Sequence, residues 1–75
     1  MQARGEWLVF CRNVEYLRVK NGLSLTAMAQ MIHTSIHSLK RMEAGEIPDH
    51  MTASIILDLA AHFHLHPYRL FSPLE

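Results

Sequence analysis

Gly22-Leu23-Ser24-Leu25-Thr26-Ala27-Met28-Ala29-Gln30-Met31-Ile32-His33-Thr34-Ser35-Ile36-His37-Ser38-Leu39-Lys40-Arg41-Met42-Glu43-Ala44-Gly45 decides the fold of this chain. It holds two short apolar-periodic segments, each opened by a serine, with a tight turn between them. The Ser24 hydroxyl is placed to accept a backbone N–H from the first turn of a helix over about residues 25–32. Gly22, just before it, suits the end of a preceding helix, because glycine accepts a left-handed backbone at C′. Ser35 opens a second helix over about residues 36–44. Gly45 ends that helix and Pro48 blocks its continuation. Met28 and Ile32 of the first helix, and Leu39 and Met42 of the second, sit at inward spacing. Ala29 is small where the second helix must cross closely. Ile36, His37, Lys40 and Arg41 are left facing outward.

Two capped helices joined by a tight turn make a helix-turn-helix, whose second helix is shaped to enter the DNA major groove. The outward residues suit that task chemically. Arg41 can pair bidentately with O6 and N7 of guanine, and His37 can donate to a purine acceptor. Ile36 can pack on a thymine methyl. Lys40 suits a phosphate, a contact that positions the domain without reading sequence. The competing reading is a plain solvated helix face, since capped helices with exposed Lys and Arg are common.

Working outward, the remaining chain is also helical by pattern. Helix one is expected over about residues 6–20, with Trp7, Phe10, Val14 and Leu17 on one face. A loop over about residues 45–51 contains Gly45, Pro48 and Asp49. Thr52 is an N-cap candidate for helix four, about 53–63, with Ile56, Leu57, Ala60 and Phe63 facing in. Pro67 opens a short helix five, where its missing N–H costs nothing. Leu74 and Glu75 receive no structural role. The expectation is an all-α, five-helix single domain over residues 1–75.

The ordered set resembles the lambda-repressor-like, Cro-type helix-turn-helix domains, also called the xenobiotic-response-element type. Asn13-Val14-Glu15-Tyr16-Leu17-Arg18, then Gly22-Leu23-Ser24, are similar to that family's first helix and its exit. Ala29 matches its small residue in helix two; Ser35, Leu39, Glu43 and Gly45 match its recognition-helix frame. Leu59 through Phe71 is similar to its fourth and fifth helices. The likeness covers about residues 8–71, with helices 2 and 3 as the helix-turn-helix. It implies base contacts from Ile36, His37 and Arg41, and phosphate contacts from Ser24, Thr26, Ser35, Lys40 and Arg18. It implies a structural, helix-end role for Glu43. Leu25 stands where the family often has a phosphate-touching glutamine, and His33 replaces a common turn glycine. His64 sits where the family often has glycine at the C′ end of helix four, which asks a non-glycine residue for a positive φ. By the resemblance the protein is a repressor-type transcriptional regulator that binds double-stranded DNA as a homodimer on an inverted repeat. Tyr68, Leu70 and Phe71 of helix five are expected at the dimer contact.

Composition frames these expectations. The chain has 75 residues, 49% of them hydrophobic, enough for one small core and too many for disorder. No apolar run reaches the ~18–20 residues of a membrane span, and no signal peptide is visible. One cysteine, Cys11, excludes an internal disulfide and fits a reducing cytoplasm, as for a nucleoid-associated protein. No catalytic constellation, cofactor motif or effector domain is present by spacing, so no enzyme activity, cofactor or small-molecule effector is expected. His62, His64 and His66 lie close together, but Pro67 breaks the helix that zinc chelation would need, so no metal is expected. Trp7, Met28, Met31, Met42 and Met51 belong in or beside the core. Leu25, Met31 and Ile47 are harder to bury and could form a contact patch.

Charge argues both ways. Seven basic and seven acidic residues give zero net charge, whereas a DNA-binding domain usually carries a basic footprint. Arg12, Arg18, Lys20, Lys40 and Arg41 precede Glu43, Glu46, Asp49 and Asp58, so a local basic face can exist. Protonating the exposed histidines would add positive charge, which predicts DNA affinity rising as pH falls from about 7.5 to about 6. A neutral surface with spare apolar residues also fits an antitoxin-like or other protein-interaction module on the same fold.

Overall fold

The computed structural model describes residues 5–47 and 53–74. Four α-helices and one 3-10 turn follow in order: α1 (Glu6–Lys20), α2 (Leu25–Met31), α3 (Ile36–Glu43), α4 (Ala53–His62) and the turn Pro67–Phe71. No strand occurs among the described residues, so the class is all-α. None of the helices is long and apolar enough to cross a membrane. The expected helix ends fall within a residue or so of the observed ones. Ile32 and Ala44 become C-caps rather than helical residues. Pro48, Asp49, Met51 and the expected cap Thr52 lie outside the described residues.

Both serine caps form. Ser24 Oγ accepts the Ala27 amide at 3.0 Å, and Ser35 Oγ accepts the Ser38 amide at 3.0 Å. Each satisfies a donor that the first turn of a helix otherwise leaves open. The four helix ends share a single chemistry. The C″ amide reaches back to the C3 carbonyl: Leu23 to Arg18, Thr34 to Ala29, Glu46 to Arg41 and Leu65 to Ala60, each at 2.9 Å. The C′ residue takes positive φ in every case. Gly22 (65°) and Gly45 (90°) do so freely; His33 (56°) and His64 (56°) do so against the preference of an L side chain.

The core is Phe10, Cys11, Val14 and Leu17 of α1, Met28 and Ala29 of α2 with Ile32, Leu39 and Met42 of α3, Ile55, Leu59 and Ala60 of α4, and Leu70. α1 packs on α3 and on the 3-10 turn, while α2 packs on α3 and α4. Trp7 is partly exposed. Its ring meets Phe10 and Phe71 edge-on, with centroids 5.7 and 5.1 Å away, and Phe10 and Phe71 stack at 5.3 Å. Those contacts bind the first turn of α1 to the C-terminal turn. Leu25, Met31 and Ile47 are partly buried against the core rather than gathered in a free patch.

Three expectations are corrected. The fifth element is a short 3-10 helix rather than an α-helix: over Pro67–Phe71 the bonds close i→i−3, as from the Arg69 amide to the His66 carbonyl at 2.9 Å. On α4 the expected inward face holds at Ile56 and Ala60, and at Phe63 just after it, but fails at Leu57. Ile55 and Leu59 lie inside with Ala60, while Leu57 is 57% exposed, because Leu57 sits about 200° round the helix from Ile55. Leu74, given no role from sequence, packs partly against the core, and its amide donates to Asn13 Oδ1 at 3.3 Å.

Asn13 is the one polar residue inside the described core, 2% exposed. Its Nδ2 donates to the carbonyls of Leu70 and Ser72, both at 2.8 Å. With Oδ1 taking the Leu74 amide, a single amide group satisfies three backbone groups of the C-terminal segment and fixes that segment to α1.

Candidate nucleic-acid interface

α3 has one buried and one open side. Leu39 and Met42 are fully buried, and on the other side Ile36, His37 and Lys40 face solvent. Their spacing explains this: residues 36, 37 and 40 fall within about 100° of one another, and residues 39 and 42 lie across the helix. Ser35, exposed at the start of α3, has its oxygen engaged by the Ser38 amide and keeps its hydroxyl hydrogen for an outside acceptor. Ser24 stands in the same relation to α2. Thr26 is exposed on α2, and Gln30, one turn further on, is exposed with it. Gln30 joins the expected residues on this face, and its i+4 spacing from Thr26 is the signal for it in the sequence.

Arg41 is held differently. It is half-buried, and its Nη2 lies 3.5 Å from Glu46 Oε1, so an acid from the following turn forms a partly exposed ion pair with it. Sequence placed Glu46 after the helix, but not against Arg41. A base contact from Arg41 would have to compete with that pair.

Arg18 is set apart from the other expected contacts. Its Nε donates to Glu43 Oε2 at 2.7 Å, its Nη2 to Glu43 Oε1 at 3.0 Å, and its Nη1 to the Leu23 carbonyl at 3.1 Å. Those hydrogen bonds to Glu43 hold the guanidinium pKa above its ordinary value. Arg18 therefore joins α1, the α1–α2 turn and the end of α3. Glu43 has the helix-end role expected of it. Arg12 and Lys20 lie roughly 120° and 160° round α1 from Arg18, away from the α3 side. Lys20 Nζ rests 5.4 Å from the Tyr16 ring centroid. The basic residues of α1 and α3 thus do not merge into one patch.

His33, at the end of α2, donates from Nδ1 to Asp58 Oδ2 of α4 at 2.9 Å, the carboxylate being able only to accept. His62, His64 and His66 are all exposed, and His66 stacks on Tyr68 with ring centroids 5.6 Å apart. Among the described residues no three His, Cys, Asp or Glu side chains converge where a metal ion could sit. Of the residues expected at a dimer contact, Leu70 is fully buried in the core and Phe71 is held in the aromatic cluster. Tyr68 alone is open, 69% exposed.

No family model, curated protein or solved structure matches the chain.

Proposed function

We propose that this protein is a sequence-specific DNA-binding regulator of the lambda-repressor-like, Cro-type kind. In this reading α2 and α3 form the helix-turn-helix, and α3 enters the major groove. The observation that carries it is the pairing of two serine-capped helices with an outward Ile36, His37 and Lys40 over a buried Leu39 and Met42. Ile36 and His37 read base edges, joined by Arg41 once it exchanges Glu46 for a guanine. Ser24, Thr26, Ser35 and Lys40 hold the backbone on either side. Arg18 belongs to the scaffold instead. Binding as a homodimer on an inverted repeat would place two copies of α3 about one helical turn apart, 10–10.5 base pairs. Occupying such a site blocks polymerase, which is repression.

The Arg41–Glu46 pair and the zero net charge favour a second reading, a protein-interaction or antitoxin-like module. Selection from a randomised duplex library at two salt concentrations separates the two. Enrichment of a palindrome, with affinity falling steeply as salt rises, supports the regulator. A folded protein that enriches nothing at either salt overturns it in favour of a protein partner.

A further inference from the structure

We infer that the outward face of α1 is a two-fold contact with a second copy of this chain, the two helices running antiparallel. Leu8, Arg12, Glu15 and Val19 lie at i, i+4, i+7 and i+11 and form one stripe along the helix. All four are exposed, Leu8 at 43% and Val19 at 61%, while Phe10, Val14 and Leu17 hold the opposite side in the core. The stripe reads apolar, positive, negative, apolar. That order is its own complement when reversed. Antiparallel pairing centred between Asn13 and Val14 brings Leu8 level with Val19 of the second copy, and Arg12 level with its Glu15. Two-fold symmetry then makes each contact twice.

Among the described residues neither charge stands in an ion pair, although Glu15 exerts a small coulombic pull on Arg18. The ion pairs there are Arg18–Glu43, His33–Asp58 and Arg41–Glu46. The ground beside the stripe is recessed. Arg12, Glu15, Tyr16, Val19 and Lys20 line an open groove of about 400 Å³, and Val9, Arg12, Asn13 and Pro73 line another of about 200 Å³. Side chains of a second copy have space to enter. One 15-residue helix face is smaller than the ~800 Å² per partner of a standard stable interface, so association is concentration-dependent. Two half-sites on one duplex would raise the effective concentration of the pair. The inference deepens the operator-binding reading, which requires a two-fold dimer, and rests on it for its biological use.

The test is sedimentation equilibrium without DNA, from about 10 μM to about 1 mM at low salt, where surface charge is least screened. Wild type is expected to dimerise in that range. Arg12→Glu alone and Glu15→Arg alone place like charges across the axis, and each is expected to weaken dimerisation at least tenfold. An equimolar mixture of the two variants is expected to associate, because acidic then meets basic at every contact. The double variant Arg12→Glu/Glu15→Arg is expected to behave as wild type. A wild type that stays monomeric to about 1 mM, or a mixture no better than either variant alone, overturns the interface. If such a monomer still selects an operator, only the interface fails. If the charge-swap pattern holds but no duplex is selected, only the DNA reading fails.

Discussion

Arg18 and Glu43 close a two-pronged ion pair between α1 and the last turn of α3, with both carboxylate oxygens engaged at 2.7 and 3.0 Å. The same guanidinium holds the Leu23 carbonyl, so one residue sets the position of α3 and of the turn leading into α2. Any surface presented by α3 therefore depends on a pair that does not itself touch a ligand.

Removing one member leaves the other short of partners in a site that is mostly shielded. Glu43→Gln keeps the shape but loses the charge-assisted bonds, and is expected to cost about 1–3 kcal/mol. Arg18→Lys keeps the charge but not the fork, and is expected to fall between wild type and Glu43→Gln. Urea midpoints measure this, and variants melting with the wild type would show the pair to be neutral.

Asn13→Ala strands the Leu70 and Ser72 carbonyls and releases the Leu74 amide. The expected cost is about 2–4 kcal/mol, since buried unsatisfied groups carry their desolvation penalty. Hydrogen exchange at the Leu74 amide should quicken more than exchange in α2 or α3. Equal changes across all helices would show Asn13 to be a general core residue rather than the anchor of the C-terminal segment.

His33 and His64 share a left-handed backbone but not a partner. His64→Gly relieves a positive-φ cost of about 1–2 kcal/mol, offset in part by the added freedom of the unfolded chain. The net expectation is a gain of about 0.5–1 kcal/mol, a rise of a few degrees in Tm. His33→Gly also loses the hydrogen bond to Asp58 and should gain less. Calorimetry that ranks His33→Gly above His64→Gly would remove the Asp58 contact from the account.

Burial pushes the Cys11 thiol pKa up, because desolvation disfavours the thiolate. The folded state then holds that proton more tightly than the unfolded chain does. The associated stability is fully present below the unfolded pKa of about 8.5 and is lost as pH rises through the higher folded value. The urea midpoint of the wild type should therefore decline above about pH 8.5 more steeply than that of Cys11→Ala. Parallel curves to about pH 10 would contradict this.

On a selected operator, Lys40→Ala should weaken binding to all sequences alike and lower the salt slope by about one, as loss of one phosphate contact requires. Arg41→Ala should also relax preference at one base pair, a cost of about 1–3 kcal/mol. Glu46→Gln frees Arg41 and removes a negative charge, so affinity should rise. Affinities unchanged in all three, by fluorescence anisotropy, would mean that this face of α3 does not meet DNA.

What the sequence determined by itself was local. Ser24 and Ser35 cap helices through amides three residues on, and Gly22 and Gly45 close them through carbonyls a few residues back. Such bonds lie within one turn, so residue type and spacing are enough to read them. The inward spacing of Phe10, Val14, Met28, Leu39 and Met42 was legible for the same reason. Only the tertiary structure decided that Leu57 of α4 faces out, that Arg18 belongs to Glu43, and that Asn13 holds residues 70–74. Those partners are 25 to 61 residues apart, and an arginine or asparagine looks the same in sequence whether it meets solvent or a distant carbonyl. Packing brings the distant groups together and so chooses the partner, which local propensity cannot do.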